Sequence, residues 1–335
     1  MDIAVVVNLR ARRGSHRVAQ ACREVLPDAN IMVSSSLDEA LGFARQLQSE
    51  PPKLLVSAGG DGTAVTLINA LRRPGSDDTK APAIGLLPLG TGNGWANVTG
   101  APRWQKAVRR LGQLAERGGP LPLRRFDLVE VCGTVAPFAG TGWDAEIIDD
   151  FHAQKTGVGL LPEHMRDGLR GYLHGLFTRT IPRHVREPQV EVELTNTGED
   201  ALTVDDEGKV IPLPNGKRGA VLYRGPASVC AAGTSAEWGF GFRAFPFAGR
   251  VPRRFCMRIY AGKALEATLR MKQLWQGAHP VPKMHTWLLT QCKATFSRPV
   301  PFQIGGDRLG IRSEVDYALA PDQVDVLDWR AVGSA

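Results

Sequence analysis

The sequence predicts an α/β domain followed by an all-β domain, and three observations lead there. Short β-branched runs alternate with amphipathic segments up to residue 120, the signature of a largely parallel sheet with helices on both faces. Beyond Gly118-Gly119-Pro120 the pattern changes to strand-like runs separated by Gly, Pro and Asn, which predicts an antiparallel sheet. The chain has 335 residues, more than a single core ordinarily organises. A doubly wound α/β domain is therefore expected over 1–122, and an antiparallel β-sandwich domain with a helical insert over 123–335.

The elements follow in order. Ile3–Val7 reads as a strand, and Val18–Leu26 as a helix that Pro27 stops. Ile31–Val33 is a short strand, and Ser36 is placed to cap a helix over Leu37–Gln48. Lys53–Ser57 has a buried-strand pattern and runs into Gly59–Thr63, after which Val65, Ile68 and Leu71 share one helix face. Ile84–Pro88 is another strand, ending in Gly90–Gly94. Trp104, Ala107, Val108, Leu111 and Ala115 repeat at helical spacing within Arg103–Arg117. In the second domain Phe126–Cys132, Gln189–Leu194, Ala220–Tyr223, Phe255–Tyr260, Thr286–Lys293 and Pro301–Ile304 read as strands, and His164–Phe177 as the helical insert.

Composition narrows the class. With 43% apolar and 22% charged residues the chain is globular. No apolar run approaches the roughly 20 residues of a spanning helix. Ile3–Val7 is too short for a secretory signal, and its charges, Arg10, Arg12 and Arg13, come after it and not before. The five cysteines are scattered without a CxxC pair, against a disulfide framework or a zinc site. A reducing cytoplasm is the expected compartment. His152, His164, His174, His184, His279 and His285 lack metal-ligand spacing, and no metal-ligating set is assigned. Between Trp238 and Gly306 stand eleven Lys or Arg and one acid, Glu266, interleaved with aromatic residues. That suits an anionic membrane surface or stacked single-stranded bases; it equally suits strands with aromatics inward and arginines solvated.

Two glycine clusters carry the chemistry. Leu54–Thr63 takes a buried strand into Gly59-Gly60-Asp61-Gly62-Thr63 and then a helix. Glycines there can take positive φ and let backbone N–H groups approach a polyphosphate, and the helix start adds unpaired N–H groups. Asp61 inside such a turn is a candidate for holding Mg2+ or for taking a proton from an attacking hydroxyl. The alternative is a plain strand–helix turn with Asp61 as a cap. Pro88-Leu89-Gly90-Thr91-Gly92-Asn93-Gly94 also follows a strand, and strand C-termini are where ligands bind in open α/β sheets. No GxxxxGK[ST] occurs, and Trp95 breaks a GxGxxG pattern.

Taken in order, Gly59–Thr63, Pro88–Asn93, Arg124-Arg125-Phe126-Asp127-Leu128-Val129, Gly140-Thr141-Gly142-Trp143-Asp144-Ala145 and Gln303-Ile304-Gly305-Gly306-Asp307 resemble the diacylglycerol kinase and sphingosine kinase catalytic-domain family. Asn8, at the end of the first strand, fits as well. The resemblance spans nearly the whole chain. It implies a nucleotide domain like that of NAD kinases, a C-terminal β-sandwich domain, and ATP with Mg2+ in the cleft between them. It assigns Asn8, Gly59, Gly60, Gly62, Thr63, Gly90, Thr91, Gly92 and Asn93 to the nucleotide, and Asp127 to the lipid head group. It makes Asp307 or Asp61 the base that activates the lipid hydroxyl.

Three positions depart from the family pattern. Gly94 stands where bacterial members usually have Asp, an Asp that sphingosine kinases also lack. Gly305-Gly306-Asp307 stands for Asp-Gly-Glu, shortening the acid by about 1.5 Å. Only Glu237 is acidic around Gly233–Trp238, where bacterial members have a structural Mg2+ site. The implied activity is ATP-dependent phosphorylation of a diacylglycerol or sphingoid-type lipid by a protein peripherally bound to anionic membrane, with no nucleic-acid partner. The alternatives are a silent lipid- or nucleotide-binding regulator and an NAD kinase, against which the missing Asn-Glu pair speaks. Oligomeric state and the particular lipid are not legible.

Overall fold

A computed structural model describes residues 2–72, 81–155, 166 and 168–332. They form two compact units, one reaching to Phe126 and resuming at Gln323, the other running from Asp127 to Asp322. In the first unit, β1 (Ile3–Asn8), β2 (Asn30–Ser34), β3 (Leu54–Gly59) and β4 (Ala83–Pro88) lie parallel in the order β2-β1-β3-β4. Every residue of β3 and β4 is buried, as expected where helices cover both faces and strands read as unbroken apolar runs.

The intervening helices are α1 (His16–Val25), α2 (Leu37–Ser49), α3 (Asp61–Leu71), α4 (Gly94–Val98) and α5 (Trp104–Arg117). Ser36 caps α2 by accepting the Glu39 N–H at 3.1 Å. The helical spacing in α5 buries Ala107, Val108 and Leu111 against the core of β1, β3 and α1, while Trp104 and Ala115 are partly covered.

The sheet is completed by a segment that the linear reading assigned to the other domain. β5 (Leu123–Phe126) pairs antiparallel with Val324–Leu327, which itself lies parallel to β4. Trp329 follows into the same core, and its carbonyl accepts Arg110 Nη1 at 3.3 Å. The first unit is thus discontinuous in sequence. A composition shift near residue 120 marks one crossing of the chain but cannot mark its return.

The second unit is an antiparallel sheet of twelve strands. Its longest member, Gln291–Ile304, changes partners along its length: Cys292–Phe296 pairs with Val190–Asn196, and Phe302–Ile304 with Phe138–Gly142. Its register against Asp307–Leu319 breaks between Thr295 and Val300, around Pro299, which has no N–H to donate. Such breaks are how a strand passes from one sheet layer to another. The expected strand over Phe126–Cys132 is interrupted at Asp127-Leu128, and the one over Thr286–Lys293 is two strands, Met284–Leu289 and Gln291–Ile304.

The helical insert is larger than expected. Trp143–Lys155, Gly168–Gly175, a π-helical turn over Leu176–Thr180 and Ile181–Arg186 all contribute; His164 lies outside the described residues. Arg183 bridges Glu146 and Asp150, at 3.0 Å each, and ties the last of these helices to the first.

The basic aromatic stretch is largely internal. Phe245, Phe247, Phe255, Tyr260 and Trp287 are buried. Arg250 donates to the Gly208 carbonyl and lies over the Phe247 ring; Arg254 donates to the Asp200 and Leu288 carbonyls; Arg258 is buried. The aromatics named here are inward, but Arg258, which donates to the Ala244 carbonyl at 2.8 Å, is not the solvated arginine that this reading expected. All five cysteines are free thiols. Among the described residues no helix is long and apolar enough to cross a membrane.

Candidate functional site

Three loops leave the first unit's sheet at the C-terminal ends of β1, β3 and β4. The β3 and β4 turns meet backbone to backbone. Leu89 N and Gly90 N both donate to the Gly59 carbonyl, at 2.8 and 3.1 Å. A Cβ on Gly60 would stand 3.2 Å from Gly90 Cα, and a Cβ on Gly90 only 2.4 Å from Gly60 Cα. The glycines are required here by this approach and not, as expected, by a left-handed backbone: Gly60 has φ −96°. A Cβ on Gly59 would collide with Thr63 Oγ1 at 2.4 Å.

Around this contact the predicted residues converge. Asn8 Nδ2 donates to Thr63 Oγ1 at 2.9 Å, and Asn8 Oδ1 accepts the Arg10 N–H at 2.9 Å. Gly60 caps α3 without a side-chain acceptor, so the helix start keeps N–H groups that the helix itself cannot satisfy. Thr91 and Gly92 lie in the loop from β4 to α4. Asn93 takes a left-handed conformation (φ 49°, ψ 38°) and donates to the Gly90 carbonyl at 2.8 Å. Its Oδ1 is buried without a hydrogen-bond partner.

Asp61 has a definite structural task. Its Oδ2 accepts the Gly94 N–H at 2.8 Å and its Oδ1 the Trp95 N–H at 3.2 Å. The acid of the first turn therefore caps α4 and fastens the second turn to it, a charge-assisted arrangement at a helix N-terminus. Gly94, the departure from the family pattern, supplies one of these amides. The capping reading weighed for Asp61 is met, at a partner helix and not its own.

The sequence reading missed the loop after β1. Arg13 N donates to the Leu89 carbonyl at 2.9 Å, which brings the exposed Arg10, Arg12 and Arg13 beside the β4 turn. The signal was available: three arginines directly after a strand that ends in Asn. Their value as evidence against a secretory signal obscured their position at the C-terminal edge of the sheet, where cations suit a phosphate.

The remaining candidates belong to the second unit. Asp127, expected at a lipid head group, is held by Arg253. Its Oδ1 accepts Arg253 Nη1 at 2.8 Å and its Oδ2 the Arg253 backbone N–H at 3.0 Å. Arg253 Nη2 continues to the Ala320 and Pro321 carbonyls. The arrangement is a structural clasp. Asp307 opens the strand Asp307–Leu319, opposite Ile304 across a hairpin whose two loop residues, Gly305 and Gly306, have φ 61° and 92°. Paired positive φ is what a two-residue hairpin with native twist demands, and Gly-Gly satisfies it as Asp-Gly would. Asp307 itself is exposed.

A second missed residue is Asp144. It is buried at 5% exposure, and Gly140 is a glycine because a Cβ there would lie 2.1 Å from Asp144 Oδ2. Burial pushes its carboxyl up to about 7, against a hydrogen bond from Gln303 that lowers it. An acid between Trp143 and Ala145 at the end of a strand was the visible sign. Among the described residues no three His, Cys, Asp or Glu side chains cluster as a metal set.

Residues 2–121 match the diacylglycerol kinase catalytic domain family. A protein of Xanthomonas campestris pv. campestris (strain 8004), named "Probable lipid kinase YegS-like", is 31% identical over 99 residues, which is 29% of this chain and 31% of that protein's length. The chain thus aligns with about a third of this curated relative. Two crystal structures from Bacillus anthracis str. Sterne share the fold. One, of a candidate diacylglycerol kinase, has a TM-score of 0.69 and 15% identity, covering 99% of this chain and 96% of that one. The other, of a diacylglycerol kinase, has a TM-score of 0.65 and 14% identity, covering 99% and 98%. They establish the α/β-plus-antiparallel-β fold class for the entire chain.

Proposed function

We propose that this chain, whose residues 2–121 match the diacylglycerol kinase catalytic domain family, transfers the γ-phosphate of ATP to the hydroxyl of a membrane lipid. The observation that carries the reading is the close backbone approach of Gly60 to Gly90, which a Cβ on either would obstruct. Two strand-end turns so joined turn backbone N–H groups toward one anion site, which a polyphosphate fits.

When bound, ATP supplies the phosphoryl group, and Mg2+ on its phosphates offsets their charge. This chain's residues do the rest. The N–H groups of Gly60, Asp61 and Gly62 and of the loop over Thr91–Asn93 hold phosphate oxygens, Asn8 orders Thr63, and Arg10, Arg12 and Arg13 add positive charge. Asp61 keeps the two turns in register through the Gly94 and Trp95 amides. Asp307, exposed after the glycine hairpin, is the acid assigned to accept the lipid hydroxyl's proton, at the position of the family's glutamate.

The test is ATP consumption by the purified protein with dispersed diacylglycerol, sphingosine, ceramide or NAD, and with Mg2+ removed as control. Phosphate appearing on one of the lipids in a Mg2+-dependent way is the expected result; phosphorylation of NAD, or of nothing, overturns it. A second reading, a silent nucleotide-binding relative, draws on Asp61 and Asp127 both being engaged by the chain's own groups. It predicts calorimetric ATP binding without turnover.

A further inference from the structure

Large apolar side chains normally point into a domain and small or polar ones out of it. The short helix Ala264–Leu269 reverses this. Ala264 and Ala267 are buried at 1% and 2% exposure, whereas Leu265 and Leu269 stand at 65% and 81%. Four residues apart, the two leucines share a helix face. The helix packs beside Ile181–Arg186, whose Val185 is 64% exposed. These are the three most exposed large apolar side chains among the described residues, and they sit on neighbouring elements.

The surroundings are cationic. Lys263 precedes the helix, Arg270 and Lys272 follow it, and Arg186 ends the adjacent one; Lys263, Lys272 and Arg186 are exposed. The local acids, Glu266 and Glu187, are paired with Lys283 at 2.7 Å and Arg298 at 3.3 Å. An outward apolar tip ringed by Lys and Arg in excess of acids is the composition that inserts at an anionic lipid interface, with leucines among the acyl chains and cations at the headgroups.

The other occupants fit less well. A stable protein interface needs about 800 Å² per partner with a broad apolar centre, and three side chains on two helices of six residues each do not supply it. A symmetric second copy would set the same surface against itself, opposing Lys263, Arg270, Lys272 and Arg186 to their own counterparts.

We infer that Leu265, Leu269 and Val185, with Lys263, Lys272 and Arg186 around them, form the surface by which this protein docks on anionic membrane. Arg250, Arg253 and Arg254, cations of the same basic stretch, are committed to internal partners. The inference is independent of any catalytic activity, because it concerns adsorption alone.

The experiment is sedimentation of the full chain with vesicles of phosphatidylglycerol and phosphatidylcholine, and of phosphatidylcholine alone, without nucleotide. The protein should partition onto the anionic vesicles, and less so as salt is raised. Leu265→Ser with Leu269→Ser should lower the partition coefficient at least about tenfold, or about 1.4 kcal/mol, with the melting temperature kept. Lys263→Gln with Lys272→Gln should lower it several-fold and flatten its salt dependence. Ile311→Ser, which alters an exposed residue elsewhere (56%), should change nothing. Wild-type protein that ignores anionic vesicles overturns the inference. So does a leucine double variant that binds like wild type, or an Ile311→Ser loss of equal size. A solution dimer that the leucine variant converts to monomer would show that the surface serves a second copy instead.

Discussion

Asp144 and Gln303, 159 positions apart, are joined by a 2.8 Å hydrogen bond from the glutamine Nε2 to the carboxylate Oδ2. Gln303 is itself buried, at 1% exposure, and its Oε1 accepts the Gly306 N–H at 3.0 Å. One side chain thus connects an interior acid to the hairpin that presents Asp307. Gly305 N adds a bond to the Phe138 carbonyl at 2.8 Å, so the turn is fixed from the strand that leads to Asp144. The position of the exposed acid is set from inside the sheet.

The first prediction concerns pH. An unfolded aspartate ionises near about 3.9, whereas Asp144 in the fold is pushed by burial to about 7. Between those values the native state keeps a proton that the unfolded chain has released. Stability therefore falls as pH rises from about 4 to about 7 and levels off above, by a few kcal/mol in order of magnitude. Asp144→Asn retains an acceptor for Gln303 and removes the titration. It should melt higher than wild type at pH 8 and close to it at pH 4. An equal difference at both values would show that Asp144 does not titrate in this range.

A second prediction separates the two glycines that touch. Gly90→Ala would place its Cβ 2.4 Å from Gly60 Cα, a distance that only backbone movement relieves, whereas Gly60→Ala reaches 3.2 Å. Overpacking of this kind costs about 1–3 kcal/mol, so Gly90→Ala should lower the melting temperature clearly more than Gly60→Ala. Calorimetry should find ATP affinity reduced in both. A Gly90→Ala variant with native stability and native affinity would contradict the packing of the two turns.

What could be read in advance followed from local chemistry. The first unit's strands and helices were legible because Ile3–Val7, Lys53–Ser57 and Ile84–Pro88 are mainly apolar runs, the last two leading into glycine turns. The glycine turns were legible as an anion site, but the reason for Gly60 was not. Its partner Gly90 is 30 positions away, and a backbone contact leaves no mark in a single sequence. Asp61 was ambiguous for the same reason, since the amides it caps belong to another turn. The return of Val324–Leu327 to the first sheet and the clasp of Asp127 by Arg253 are long-range pairings between ordinary-looking segments. Thr134–Ala136 and Val229–Gly233 escaped notice because three to five residues rich in Ala and Gly carry little strand signal.

A third prediction tests that clasp. Arg253 is partly exposed but satisfies both oxygens of Asp127 and two carbonyls. Asp127→Ala should cost about 1–3 kcal/mol, because it leaves donors unmatched in a mostly buried place. Arg253→Lys should not rescue the site, since a single ammonium lacks the planar fork. A double-mutant cycle of Asp127→Ala with Arg253→Gln should return a coupling above about 0.5 kcal/mol. A raised KM for lipid with unchanged stability would instead restore Asp127 to the head group.

The last prediction divides the two acids proposed for proton transfer. Both carboxylate oxygens of Asp61 accept backbone N–H groups, and an asparagine must turn an NH2 toward one of them. Asp61→Asn should therefore lose about 1–3 kcal/mol of stability and raise the KM for ATP, because the second turn loses its anchor. Asp307 is an exposed residue at the start of a strand. Asp307→Asn should leave the melting temperature and ATP affinity nearly unchanged while kcat for lipid phosphorylation falls at least about 100-fold. Asp307→Glu should retain substantial activity, since it adds back the methylene of the family's glutamate on an exposed side chain. The two variants must thus fail differently, one in stability and nucleotide KM, the other in kcat alone. An Asp307→Asn enzyme that turns over normally, beside an Asp61→Asn enzyme that is fully stable and loses only kcat, would reverse the assignment and make Asp61 the base.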